Sequence, residues 1–182
     1  MKTLIWDLEI RDPVEDKGWE AARNGQCGIS CIVIWDSDSG RYHLYDEHRL
    51  EEAVDHLNSA DLLVGYNTLN FDSNVVFGVT GRFLTVPQYD ILSKIWDALA
   101  HRKKGYKLDE VATATLSMGK SGNGEFATAL YAQRRFGELF DYCLNDVFLT
   151  KELYNHIVDL GWIKGADSQE LHIEQSGYKE YA

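Results

Sequence analysis

Short runs of apolar residues broken by turn-forming clusters dominate the first third of the chain, and helical spacing dominates the remainder. The run from Lys2 to Glu9 (KTLIWDLE) is short, apolar and rich in Ile and Trp, which predicts a buried strand. A polar excursion from Asp12 to Gly25 reads as a loop on one edge. Ile29 to Trp35 (ISCIVIW) is the next strand, Asp36-Ser-Asp-Ser-Gly40 a turn, and Arg41 to Tyr45 the returning hairpin partner. Leu50, Ala53, Val54 and Leu57 recur at i, i+3, i+4 and i+7, the stripe of an amphipathic helix. Leu62 to Gly65 (LLVG) predicts a short buried strand, and Asn70 to Phe77 opens a helix with Val75 and Val76 behind a polar start. A helical pattern from Ile91 to His101 follows Asp90, a good N-cap. Leu108 to Leu116 reads as a short helix and Met118 to Gly124 as a flexible loop. A long helix from about Arg135 to Leu160 carries Leu139, Tyr142, Cys143, Val147, Leu153 and Ile157 at roughly the helical period. Early strands followed by alternating helix and strand predict an α/β fold built on a sheet of mixed direction.

Only two prolines occur, no Ser/Gly/Pro-rich linker divides the chain, and no internal repeat is present, so the 182 residues read as one domain. The balance of 18 Lys and Arg against 29 Asp and Glu, net −11, argues against a protein that coats nucleic acid through bulk charge. It leaves room for an enzyme that holds metal ions and touches phosphates locally. Hydrophobic residues at 45% and charged residues at 26% exclude a disordered chain. Three cysteines, Cys27, Cys31 and Cys143, are too few for a disulfide framework, which points to reduced thiols and a cytoplasmic setting. The N-terminal segment is too short and too acidic for a signal peptide, and no window approaches a membrane span.

Asp7 and Glu9 are two apart on a strand and therefore leave the same face, together with Ile5. Two like charges on an apolar strand repel each other and lose hydration unless a cation meets them. The segment Gly65-Tyr-Asn-Thr-Leu-Asn-Phe-Asp72 runs from a strand into a helix, and Tyr142 and Asp146 are four apart on one helical face. Alone, each pattern has an ordinary explanation: charges at a strand end, turn formers, a half-buried Tyr near a surface Asp. Together they supply Asp7, Glu9, Asp72 and Asp146, whose formal charge of −4 two divalent cations would balance. Oxygen ligands favour Mg²⁺ or Mn²⁺, and the natural work of such a pair is phosphodiester hydrolysis.

The segments WDLE, GYNTLNFD and YCLND resemble the three motifs of the DEDD (DnaQ-like) 3′→5′ exonucleases, with the nearest likeness to the proofreading domain of family B DNA polymerases. The second motif of that domain is matched by Tyr66, Asn67, Asn70, Phe71 and Asp72, and its third by Tyr142 and Asp146. Tyr106-Lys-Leu-Asp-Glu, with Leu116 and Lys120, resembles the connector between them. The likeness covers about residues 1–158 and leaves 159–182 as a C-terminal extension containing Trp162, Tyr178 and Tyr181. It implies a ribonuclease H-like fold, a central mixed five-stranded sheet flanked by helices on both faces. Asp141 stands where the histidine branch carries its catalytic histidine, and Tyr142 is present, so the resemblance implies the DEDDy subclass.

By that resemblance Asp7 bridges two metals, Glu9 and Asp146 complete one site, Asp72 serves the other, and Tyr142 orients the attacking water. Asn67, Asn70 and Phe71 would lie near the terminal nucleotide. The polymerase regions of the family have no counterpart here, which implies a freestanding nuclease working on single-stranded DNA ends, beside replication or repair proteins. RNA ends remain open as a substrate, because the motifs read phosphates and not the sugar. A non-catalytic binding or polymerase-tethering module on the same fold is the alternative from another class.

Several features carry less. Gly119-Lys-Ser is not a phosphate loop, since position 114 is Ala and no strand leads in. Lys120 is nevertheless a candidate for touching a phosphate. Arg102, Lys103, Lys104 and Lys107 form the one dense basic cluster, and Lys103 and Lys107 are its candidates for holding the strand. The six histidines show no metal-ligand spacing, and most read as surface residues. Cys143 lacks a paired histidine and is no nucleophile.

Overall fold

The apolar run at the N-terminus forms β1 (Thr3–Ile10), and its alternation explains why it lies at the centre of the molecule. Leu4, Trp6 and Leu8 face one side, Ile5 the other, and all four are buried. A strand covered on both faces has to sit between two layers of helix. The computed structural model describes residues 1–119 and 124–174. Beyond β1 the elements are α1 (Val14–Lys17), α2 (Trp19–Arg23), β2 (Ile29–Asp36), β3 (Arg41–Asp46), α3 (Leu50–Leu57), β4 (Leu62–Gly65), α4 (Asp72–Thr80), β5 (Gln88–Asp90), α5 (Ile91–Leu99), α6 (Leu108–Leu116), α7 (Gly124–Ala132), α8 (Phe136–Leu160), β6 (Trp162–Lys164) and β7 (Glu170–His172).

The main sheet has five strands in the order β3-β2-β1-β4-β5. β1–β2 and β2–β3 pair antiparallel, while β1–β4 and β4–β5 pair parallel, so the sheet is mixed as its sequence predicts. One core cluster holds Ile5, Val33 and Val64 against α5, α6 and the inner side of α8. The other holds Leu4, Trp6, Ile32, Ile34 and Leu63 against Ala53, Val54 and Leu57 of α3 and Val75 and Val76 of α4. Each such side chain taken fully out of water contributes about 1.5–3 kcal/mol, which is why the alternation fixes the layering.

The structure corrects the sequence reading in three places. The polar excursion after β1 is not all loop: it holds α1 and α2, separated by Gly18 at φ 88°. A helix, α7, follows Gly124, where the sequence shows no clear period. The extension beyond α8 folds back as the β6–β7 hairpin, and the Tyr89 hydroxyl donates to the Glu174 carbonyl at 2.9 Å. Lys120, Tyr178 and Tyr181 lie outside the described residues.

The position of α2 depends on a crossing of two glycines. A Cβ on Gly78 would stand 2.4 Å from the carbonyl carbon of Asn24, and one on Gly25, itself at φ 77°, would stand 2.4 Å from that of Gly78. Both obstacles are backbone and cannot swing aside. Gly78→Ala is therefore expected to destabilise the protein by about 2–3 kcal/mol, typical of overpacking. In a chain of this size that lowers the thermal midpoint by about 5 °C or more, measurable by calorimetry.

Candidate active site

Strand β1 outruns its parallel neighbour. Its last pairing with β4 is Ile5↔Val64, whereas its pairing with β2 continues through Asp7↔Val33 and Glu9↔Cys31. On the β4 side, the end of β1 is thus open, and there the chain leaving β4 brings in residues 66–72. Asp7 and Glu9 point to the face covered by α8, from which Tyr142, Cys143 and Asp146 reach down. Glu9, Tyr142 and Asp146 are buried and Asp7 is half-buried. The Cys143 thiol lies 3.5 Å from the Asp7 carbonyl oxygen and 3.8 Å from Asp7 Oδ2. Asp72 enters from the opposite side, in the first turn of α4, and is buried.

The four carboxylates and Tyr142 line one cleft of about 590 Å³. Of the sequence-predicted residues, Asp7, Glu9, Asp72, Tyr142, Asp146, Asn67, Phe71 and Lys107 all form its walls. Asn70 does not; its amide donates to the Asn67 carbonyl at 3.1 Å and helps shape the loop. Lys103 is also outside, with its ammonium 2.8 Å from Asp167 and stacked over the Tyr106 ring. Trp19 on α2 lines the cleft, 65% exposed, and meets Phe71 edge-on at 5.8 Å between ring centres. The sequence carries a weak signal for it, a Trp inside a polar segment, but nothing that places it beside Phe71. Thr128 of α7 is a second wall residue without a sequence signature.

The electrostatics of the site are set by burial and by acidic groups close to one another. Burial pushes the Asp72 carboxyl up to about 7, and the nearby carboxylates of Asp90 and Asp146 add to the rise, against the backbone amides of Asp72 and Leu8. Burial, with the neighbouring Cys31, Asp7 and Glu9, holds the Cys143 thiol well above its ordinary range, so it stays neutral and is no nucleophile. Asp7, Glu9 and Cys143 present ligand atoms within 4.8 Å of one another. The carboxylates are hard oxygen donors already drawn together against their own repulsion, and such a set can hold a divalent ion.

Asp90 organises the loop that carries the second group of residues. One of its oxygens accepts from the Asn67 amide at 2.8 Å and the Ser93 amide at 3.2 Å, and the other accepts from the Leu69 amide at 2.9 Å. Asn67 is thereby held at φ 67°, in the left-handed region that asparagine tolerates better than most residues. The same carboxylate caps α5, as the sequence predicts. Asp90→Ala leaves three amides without this acceptor, so it is expected to cost about 3–5 kcal/mol in urea unfolding and to loosen the loop before Asp72. Hydrogen exchange at Asn67 and Leu69 would accelerate, while exchange in β1 stays coupled to global unfolding.

No protein-family model and no curated protein matches this sequence. Among solved structures the chain is similar to the family B DNA polymerase from the hyperthermophilic archaeon Pyrobaculum calidifontis, with a TM-score of 0.64 at 19% identity. The match covers 87% of this chain and 24% of that one, so the chain spans about a quarter of the polymerase's length. At that identity the likeness speaks for the fold: an α/β domain with a mixed five-stranded sheet between helices, consistent with a ribonuclease H-like architecture.

Proposed function

We propose that this chain is a single-domain, metal-dependent 3′→5′ exonuclease of the DEDDy type that hydrolyses single-stranded DNA ends to nucleoside monophosphates. The observation that carries the reading is the meeting of Asp7 and Glu9 from β1, Asp72 from α4, and Tyr142 and Asp146 from α8 along one cleft. Four carboxylates brought into one cleft from β1, α4 and α8 make an oxygen donor set of the kind that divalent cations take. In this reading Asp7, Glu9, Asp72 and Asp146 are the residues that would hold two Mg²⁺ or Mn²⁺ ions. When bound, the pair supplies a water of lowered pKa and positive charge opposite the leaving oxygen.

The protein's own groups do the rest. The Tyr142 hydroxyl orients the attacking water; phenols ordinarily ionise near about pH 10, so positioning suits this group better than taking the proton. Phe71, with Trp19 at its edge, offers an aromatic surface for the terminal base, and Asn67 an amide for hydrogen bonding. Lys107, exposed at the cleft wall, faces the backbone phosphates. Replication or repair proteins are the partners such an activity would serve.

The test is digestion of a 5′-labelled single-stranded DNA oligonucleotide in Mn²⁺, in Mg²⁺ and in EDTA, with an RNA oligonucleotide alongside and Asp146→Ala as control. A metal-dependent ladder shortening from the 3′ end, absent in the variant, is the expected result. Digestion of RNA alone would change the substrate, and no digestion of either would leave a binding module.

A further inference from the structure

On the other face of the sheet, two histidines and an aspartate meet without any sequence spacing to announce them. Asp36 ends β2 and His43 lies on β3. The register sets Ile34 opposite His43 and Asp36 opposite Arg41, so Asp36 and His43 are diagonal neighbours on the face that carries Ile34. Helix α3 packs on that face through Ala53, Val54 and Leu57, and its last turn delivers His56. His56 Nε2 stands 3.1 Å from Asp36 Oδ2, and the His43 and His56 rings meet at 4.7 Å, nearly perpendicular. Ligand atoms of all three residues lie within 4.8 Å of one another.

We infer that Asp36, His43 and His56 form a Zn²⁺ site that pins the β2–β3 hairpin to α3. Two imidazoles and one carboxylate suit zinc, whereas Mg²⁺ and Mn²⁺ prefer oxygen sets. Donor atoms about 2.1 Å from a tetrahedral ion sit about 3.4 Å apart, so the three need close by only a small movement. The surrounding contacts are those that orient metal ligands. Asp36 Oδ1 is engaged by the Asp38 amide at 2.8 Å and the Ser39 amide at 3.3 Å, which leaves Oδ2 facing the histidines. His56 Nδ1 is 3.0 Å from the Tyr45 hydroxyl, which fixes the ring with Nε2 inward. The Ser39 hydroxyl lies 3.4 Å from His43 Nε2, and a water would supply the fourth position.

One cation already competes for the position: Lys2 Nζ is 3.6 Å from Asp36 Oδ2, while also donating to the Ser59 hydroxyl at 2.8 Å. Zinc has to displace the lysine from Asp36, which Ser59 can retain. Removing the lysine charge therefore strengthens zinc binding, an effect that a purely structural tie between hairpin and helix would not show.

The site is independent of the cleft chemistry and is tested with that chemistry silenced. The full chain carrying Asp7→Asn and Asp146→Asn, stripped with EDTA, would be titrated with Co²⁺ and then with Zn²⁺. One equivalent of Co²⁺ with visible d–d absorption, displaced by one equivalent of Zn²⁺, is expected, together with a higher thermal midpoint in Zn²⁺. His43→Ala, at a half-exposed position on the edge strand, should weaken zinc at least tenfold with unchanged circular dichroism. Lys2→Ala should tighten it several-fold. Absence of saturable Co²⁺ and Zn²⁺ binding, or binding that His43→Ala leaves intact, would overturn the site.

Discussion

The Asp7→Asn protein is expected to degrade a single-stranded oligonucleotide at least about 10³-fold more slowly than the native chain, with unchanged near-ultraviolet circular dichroism. Metal chemistry of this kind supplies several kcal/mol of transition-state stabilisation, and each 1.4 kcal/mol is about tenfold in rate. Asp7 is the most exposed of the four carboxylates and lines the cleft, on the strand end where the β4 partner has stopped. The amide is nearly isosteric, so folding is spared while a ligand charge is lost. Tyr142→Phe provides the contrast. Losing a hydroxyl that only positions water should cost about 10- to 100-fold and leave metal binding, followed by calorimetry with Mn²⁺, nearly unchanged. Equal losses in both variants would assign Tyr142 a direct part in the proton transfer.

Asp72→Asn is expected to abolish activity and yet stabilise the metal-free protein at pH 8. The Asp72 carboxyl, pushed up to about 7 by burial and by Asp90 and Asp146, lies well above the ordinary value of about 3.9 in the unfolded chain. Below about pH 4 the group is protonated in both states and contributes no pH dependence. Between pH 4 and 7 the unfolded chain releases the proton and the folded one keeps it, so stability falls as pH rises. Above pH 7 both are ionised and the loss is complete, on the order of 4 kcal/mol. Asparagine removes this loss. Urea unfolding in EDTA should therefore separate the two proteins at pH 8 and bring them together at pH 4. Excess Mn²⁺ should raise the stability of the native chain at pH 8 far more than that of the variant. A difference of the same size at both pH values would contradict the assignment.

The chemistry of the candidate site was legible because its residues sit in short patterns with fixed geometry. Two residues apart on β1 means one face, and four apart on α8 means one face, whatever the rest of the molecule does. The same local logic found the first four strands, the stripe of α3 and the cap at Asp90. Lys103 was not separable from Lys107 by sequence, since both belong to one basic run. The structure engages Lys103 with Asp167, a residue far along the chain in the C-terminal extension.

The sequence alone determined which residues alternate, which recur at the helical period, and which carry charge that burial would penalise. The sheet's mixed direction, the two-sided burial of β1 and the acidic character of one strand end all derive from these. The tertiary structure decided everything that depends on contacts between distant segments. It set Trp19 against Phe71 through the Gly25–Gly78 crossing, aimed Asp90 at the loop before Asp72, and gathered Asp36, His43 and His56 from two strands and a helix. Such meetings leave no period in the chain. They arise from strand register and helix packing, which the summed burial of the whole core selects and no short segment encodes.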